Sequence, residues 1–576
     1  MILKALYDYY QRRADLPKPG LEMKEIGFTI VIDKRGRFVR FEDNRLNNKH
    51  AKEFLVKKSV GRSSKAVANH LYDNSAYVLG YDEGKKDKEQ LYLDTFKAKV
   101  LSIKEAFPDN ADLQTLCAFY DQGKEEIYNT VSQDPLWDDV KKNLSKKFST
   151  FSFRMDGDTQ ILAEKRELLQ LDDSSAPSEA SAICLVTGDE GVPVDTTTAT
   201  MIPGSQATAK LVSFQVNSGY DSYGKEKCGN APISQKAEFA YTTALNAMLA
   251  SGSHNKFMVG NRTFVFWASS SSEAATQAEE SIFSLLGIPD SNADDPDAKT
   301  QNVRKVFTAI YSGSLKTSLD DKFFILGLAP NSARIAVVYW AETTLRDFAG
   351  LILKHFADMD IVDTRKEKRP YAGVREMLSA VTLGGKQADA TPNLPEAIVK
   401  SIFQGAPYPF TLFSACIRRI RAESSDGNAV RVARAAIIKA YLNRLNDNNK
   451  QLTNMLDKTN TNPGYVCGRL FAVLDKIQED ASHVSSIRER YMNSASATPS
   501  AVFATILNLS AHHAEKLNEG RRIYFEKLKQ EIVDKISADG FPARLDLQDQ
   551  GRFFVGYYHQ RQDFFTKNEE TEENKQ

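Results

Sequence analysis

The sequence has no surplus of either charge. Its 75 Lys and Arg balance 75 Asp and Glu over 576 residues, so net charge names no partner and any basic surface must be local. Long hydrophobic runs are missing too. Nothing approaches the roughly 18 apolar residues of a membrane helix, which argues against a membrane partner. Cysteine is scarce: Cys117, Cys184, Cys228, Cys416 and Cys467 are widely scattered, with no pair at metal-knuckle spacing. Their odd number reads as reduced thiols, and the expected location is cytoplasmic. The start "MILKALYDYYQRR" carries charges and tyrosines inside its only apolar stretch, against a signal peptide. The eight His include no His-Asp dipeptide and no H-E-x-x-H, and no cofactor is expected.

What is present is ordinary globular material, 42% hydrophobic and 26% charged. The length exceeds one hydrophobic core, so three or four domains are expected. The pattern predicts an α+β fold: a mixed N-terminal body over 1–170, a β-containing middle over 171–394 and a C-terminal helical bundle over 395–576. "ILKALYDYY" has helical spacing, and "IGFTIVI" and "RFVRF" read as a hairpin turning through "DKRG" with Gly36. "DDSSAPSEASA" reads as a linker or exposed loop. "AICLVTG", "LVSFQV", "TFVFWAS" and "KFFILGLAPNSARIAVVYW" read as strands. "SQKAEFAYTTALNAML" is a helix with Ser234 as its N-cap. From about residue 395 helical periodicity dominates, and the tail "KNEETEENKQ" is charged. There is no internal repeat.

The stretch "GYDSYGKE" nearly spells a phosphate-binding loop through Gly219, Gly224 and Lys225, but Glu226 stands where the magnesium-binding hydroxyl belongs. "KCGNAPIS" follows, where a P-loop requires a helix N-terminus. The nucleotide-hydrolase reading therefore fails, although Ser222, Lys225, Lys227 and Asn230 could still touch a phosphate backbone. A metal-dependent nuclease is the enzymatic alternative. His355, Asp358 and Asp360 in "KHFADMD" offer a His and a carboxylate on one helical face, whereas two-metal sites need several converging ligands. "LSAHHAEKL", with His512 and His513, reads as a helix surface.

The positive signals are basic. Residues 49–65 hold Lys49, Lys52, Lys57, Lys58, Arg62 and Lys65 against Glu53, a net +5. Residues 401–450 hold eight Lys and Arg, among them Arg418, Arg419, Arg421, Arg434, Lys439 and Arg444, against three acids, again +5. On "LFSACIRRIRAE" the arginines fall largely opposite Leu412, Cys416 and Ile420, which predicts a helix buried on one side and basic on the other. Such a stripe suits phosphates.

The run "SFQVNSGYDSYGKEKCGNAPISQKAEFAYTTALNAML" resembles the signature of the large subunit of type I-C CRISPR surveillance complexes (Cascade). So do "MILKALYDYYQRR", "RSSKAVANHLYDNSAYVLG", "CLVTGDEG", "FFILGLAPNSARIAVVYW", "GAPYPFTLFSACIRRIRAE", "AAIIKAYLNR", "NPGYVCGRLFAVLDKIQ" and "GRFFVGYYHQRQ", in the family's order over most of the chain. Lys65 departs from the small residue expected there. The resemblance implies a binding subunit without catalysis of its own. Its partners would be guide crRNA, target double-stranded DNA, the backbone and handle-binding subunits, a small subunit and the helicase-nuclease. It would find the protospacer-adjacent motif, start unwinding and guide the displaced strand. In RNA-guided systems base pairing reads the sequence while protein reads a short duplex motif. The minor groove of A·T pairs shows only acceptors, so donors on the segment holding Lys57, Lys58, Arg62, Ser63, Ser64, Asn69 and Asn74 suit that task. Lys225 and Asn230 are expected to bind DNA through its phosphate backbone. Arg418, Arg419, Arg421, Arg434, Arg521 and Arg522, with Tyr465 and Tyr524 nearby, suit the displaced strand. A scaffold binding only guide RNA is a third reading. The resemblance also implies that the small subunit is made from an internal start within the same gene; Met455 is placed for such a start, which would give a bundle of 455–576, and a neighbouring codon is the alternative.

Overall fold

A computed structural model describes all residues except 49, 61–65, 82–87, 145–147, 171–180, 201, 215–220, 251, 287–297, 367, 369, 428, 446–450, 484–485 and 567–576. The fold is α+β with helices throughout the C-terminal part. The chain forms two compact units, one taking in Leu3–Thr198 and Ser213–Ser251, the other Ala199–Val212 and Gly252–Gln576. No helix among the described residues is long and apolar enough to cross a membrane.

The first unit is built on a four-stranded mixed sheet in the order Phe38–Asp43, Phe28–Ile32, Thr150–Met155, Tyr72–Asn74. Phe28–Ile32 is buried at every position, as a central strand covered on both faces must be. It pairs antiparallel with Phe38–Asp43 and parallel with Thr150–Met155. The "DKRG" hairpin forms as expected: the Asp33 carboxylate accepts from the backbone of Arg35 and Arg37 at 2.8 and 2.9 Å. Gly36 has φ 77°, and a Cβ there would lie 2.6 Å from the backbone nitrogen of Phe119, so both turn and packing require glycine. The helices Glu89–Ala106 and Ala111–Asp121 supply Phe96 and Phe119, whose rings lie 6.4 and 5.6 Å from that of Phe153.

Two strand expectations are corrected. "AICLVTG" contributes only Ala182–Ile183, paired with Glu190–Gly191, because the chain turns at once: Gly188 N–H donates to the Cys184 carbonyl at 2.8 Å. In "LVSFQV" the described residues Leu211 to Phe214 form no ladder, and the remainder lies outside the described residues. Lys210 makes a single bridge to Arg334, and the run then passes from one unit into the other at Val212 and Ser213.

The second unit carries an antiparallel sheet in the order Arg334–Thr344, Lys322–Asn331, Arg262–Ala268, Lys256–Val259. Phe348, on the helix Leu345–Met359, stacks on Phe323 of the sheet at 4.3 Å. One continuous core runs from Phe257 of this sheet to Tyr558 near the C-terminus. At its helical end Pro463–Ser482 packs against Leu547–Asp563 and buries residues around its whole circumference. No strand lies beyond residue 395 among the described residues.

Candidate nucleic-acid interface

In the first unit, Lys57 ends the strand Glu53–Lys57, which pairs antiparallel with Leu21–Glu25. Its carbonyl accepts from the Tyr72 hydroxyl at 2.8 Å. Lys58 is exposed; its ammonium donates to Thr198 Oγ1 at 3.2 Å and sits 5.8 Å from the Phe239 ring centroid. Ser59 N–H donates to Glu22 Oε1 at 3.1 Å. The Val60 N–H donates to Asn69 Oδ1 at 2.9 Å, and the Asn69 N–H to Asp73 Oδ2 at 2.9 Å. Residues 60 and 69 are thereby clamped together. Arg62, Ser63 and Ser64, with Lys65, lie between them and outside the described residues, as does Lys49.

This clamp gives Asn69 a different task from the base-edge contact expected of it. It is 8% exposed, and its side-chain oxygen is committed to the backbone of Val60. Asn74 is likewise structural. It caps the short helix Ser75–Val78, accepting from Ala76 and Tyr77 N–H.

The "GYDSYGKE" region begins outside the described residues, and from Asp221 it forms two 3-10 turns, Ser222–Gly224 and Lys227–Asn230, with no helix until Gln235. The helix Gln235–Leu249 has Ser234 as N-cap, bonded to Ala237 N–H. No α-helix follows Lys225 directly, whereas a P-loop places a helix N-terminus there. Asn230 Nδ2 donates to the Ser222 carbonyl at 2.9 Å and closes the loop. Lys227 pairs with Asp195 at 2.6 Å, whereas Lys225 is exposed and its ammonium makes no hydrogen bond or ion pair with a described residue. Lys58 meets Thr198 and Lys227 meets Asp195, so both basic segments border one stretch, residues 195–198. The sequence reading missed Tyr223. It is 93% exposed at φ 58°, a conformation that costs a non-glycine residue energy. The turn chemistry of Asp221, Ser222 and Gly224 around it was the available signal.

In the second unit, the helix Phe410–Ala422 buries Leu412, Cys416 and Ile420 as expected. Its arginines differ from one another. Arg418 is exposed and makes no ion pair or side-chain hydrogen bond with a described residue. Arg419 pairs with Glu423. Arg421 donates to Gln550 Oε1 at 2.7 Å. Arg434 is not on a basic face at all: it is 1% exposed and donates to Glu423 at 2.5 Å and to the carbonyls of Ala380 and Ala429, each at 2.8 Å. Arg521 pairs with Asp480 and lies 5.2 Å over the Phe525 ring, while Arg522 is exposed. Tyr465 is fully buried, with its hydroxyl 3.0 Å from His559 Nδ1; Tyr524 is 45% exposed.

The nuclease triad does not converge. His355 is fully buried; its Nε2 lies 2.7 Å from the Ala372 carbonyl and its Nδ1 2.8 Å from the Tyr408 hydroxyl. A carbonyl only accepts, so Nε2 carries the proton and Nδ1 accepts. Burial pulls the imidazole down to about 4, which keeps it neutral. Asp358 is held by Arg444 at 2.6 Å, and Asp360 accepts from Asn454 at 2.9 Å. Among the described residues no three His, Cys, Asp or Glu lie placed to hold a metal ion.

A family model described as CRISPR-associated protein (Cas_Csd1) matches residues 6–565. No curated protein matches the chain.

Proposed function

The chain belongs to the Csd1 family of CRISPR-associated proteins, large subunits of Cascade-type complexes, and on that footing we propose that it is the motif-recognising large subunit of a type I-C surveillance complex. The observation that carries this reading is a family match over nearly the whole chain, together with basic segments in both units. Its work is binding, without catalysis of its own. The segment from Lys57 to Asn74 contacts the protospacer-adjacent motif in duplex DNA, and Lys225 adds a cation beside it. Exposed arginines of the second unit, Arg418 and Arg522, follow the displaced strand by phosphate contacts. Guide crRNA, the other Cascade subunits and the helicase-nuclease are the partners, in the cytoplasm.

Gel shifts of the assembled complex on duplexes with and without the motif test this. Lys58→Ala, Arg62→Ala and Lys225→Ala should weaken target binding, because each good base contact is worth about 1–3 kcal/mol, roughly 5- to 150-fold. Unchanged affinity and unchanged motif preference in all three would remove the segment from the reading. Asn74→Ala is a poor probe, since losing its cap costs about 1 kcal/mol of stability by itself.

The small subunit is proposed to begin at Met455, which is 59% exposed and precedes the helix Pro463–Ser482. Expression of the intact gene with a C-terminal tag should give a second, short tagged product that disappears in Met455→Leu. A full-length band alone, unaffected by that change, would defeat this start.

A further inference from the structure

A cavity of about 840 Å³ opens in the second unit between the helices Leu345–Met359 and Val432–Leu445. Its walls include Lys354, Asp358, Asp360, Lys439, Arg444 and Asn454. Most of these have their bonds filled within the protein. Arg444 donates from Nε to Asp358 and from Nη1 to the carbonyls of Ser401 and Ala406 at 2.6 and 2.5 Å. Asp360 Oδ2 accepts from Asn454 Nδ2 at 2.9 Å. On the same wall Asn443 exchanges two hydrogen bonds with the backbone of Leu452, both 2.8 Å, which fixes that side of the cavity.

Lys439 is the buried exception. It is 3% exposed, lines the cavity, and its ammonium makes no hydrogen bond or ion pair with any described residue. An ammonium taken out of water without a partner is expensive, and the cost is recovered only when a counter-charge meets it. The two carboxylates of the cavity are hydrogen-bonded to Arg444 and Asn454; they attract the ammonium through space, but burial outweighs that attraction and holds its pKa below the usual lysine range. Three cations, Lys354, Lys439 and Arg444, stand against Asp358 and Asp360, leaving one net positive charge on the walls. The volume falls within the range that encloses a nucleotide-sized ligand.

We propose that this cavity is a binding site for the phosphate of a nucleotide-sized ligand, and that Lys439 is the buried cation that receives it. Asp358 and Asp360 keep oxygen atoms that can accept from hydroxyl or amino groups of the same ligand, which favours a nucleotide over bare phosphate. The phosphate can come from a free nucleotide or from a nucleic-acid chain. The proposal concerns this chain alone and does not depend on its place in a surveillance complex.

The test is calorimetric titration of the purified full chain with adenosine monophosphate, with inorganic phosphate as competitor, and separately with a short single-stranded oligothymidylate. Lys439→Met is compared, with its thermal melt recorded in the absence of ligand. Removing an unpartnered buried charge should leave the melting temperature unchanged or raised, and nucleotide affinity should fall by about tenfold or more. Nucleotide binding that phosphate displaces and Lys439→Met weakens supports a free ligand. Binding of the oligonucleotide alone, weakened by the same change, supports a chain phosphate. No binding of either, or binding that Lys439→Met leaves intact, overturns the proposal. Lys439→Gln, which keeps length and polarity, replaces the Met variant if that one fails to fold.

Discussion

Gly468→Val should unfold the helical end of the second unit or lower its melting temperature more than any surface change. A Cβ at Gly468 would lie 2.0 Å from the carbonyl oxygen of Phe553 and 2.9 Å from the nitrogen of Tyr557. At Gly464 it would meet the carbonyl of Asp549 at 2.2 Å, and at Gly556, from the opposite helix, that of Tyr465 at 2.3 Å. The backbones of Pro463–Ser482 and Leu547–Asp563 therefore touch through glycines on both sides, and no flexible side chain stands between them to give way. Overpacking a core costs about 1–3 kcal/mol where side chains can shift, and occasionally more. Here the obstacle is helical backbone, so a loss above about 3 kcal/mol is expected, read as the midpoint shift in urea unfolding. Gly520→Ala is the control. Its Cβ would meet only Asn518 Oδ1, at 3.7 Å, near the start of the helix Glu519–Val533, and replacing a helical glycine there should be neutral or stabilise by up to about 1 kcal/mol. Equal midpoints for Gly468→Val and wild type would mean that the two helices spread without cost.

Close approaches of this kind are invisible in the sequence. The Asp33 turn, the Ser234 cap and the apolar stripe of Leu412, Cys416 and Ile420 are local, and residues a few positions apart specify them completely. The Gly468 approach joins residues more than eighty positions apart, and a glycine in a helix looks the same in sequence whether it is crowded or idle. The charge count over 401–450 failed in a related way. It pooled an exposed Arg418 with Arg434, which lies on the helix Val432–Leu445. That helix is buried almost all round, with Ala433, Ala435, Ala436, Ile437, Ile438 and Ala440 inside, so it has no stripe to say which way an arginine turns. Lys439 was pooled with the exposed cations for the same reason. For the motif-reading segment the opposite holds: composition marked it, but Asn69 and Asn74 answer to backbone partners that only the fold supplies.

Arg434→Ala and Arg418→Ala should separate architecture from nucleic-acid binding. Arg434 is buried and bonded to Glu423 and to two carbonyls, so truncating it strands those acceptors. Burial raises the Glu423 carboxyl, yet hydrogen bonds from Arg434 and then Arg419 outweigh it and hold the group below the usual carboxylate range. Glu423 stays partly open to water, so the cost is that of the stranded acceptors, about 1–3 kcal/mol, still a sizeable share of the stability of an ordinary domain. Arg434→Ala should therefore lower the denaturation midpoint sharply, and any loss of DNA binding should track the unfolded fraction. Arg418 has no protein partner among the described residues, so its removal should change stability by no more than about 0.5 kcal/mol. In the assembled complex, however, Arg418→Ala should flatten the dependence of log affinity on log salt by roughly 0.7 to 0.9, the amount set by one phosphate that is no longer neutralised, with motif preference unchanged. Arg419 and Arg421 are intermediate, because each must release Glu423 or Gln550 before it reaches a phosphate. A stable Arg434→Ala protein with a flattened slope would reverse the assignment: Arg434 would then leave its buried pair on DNA and belong to the track after all. An unaltered slope in Arg418→Ala would remove this helix from the path of the displaced strand.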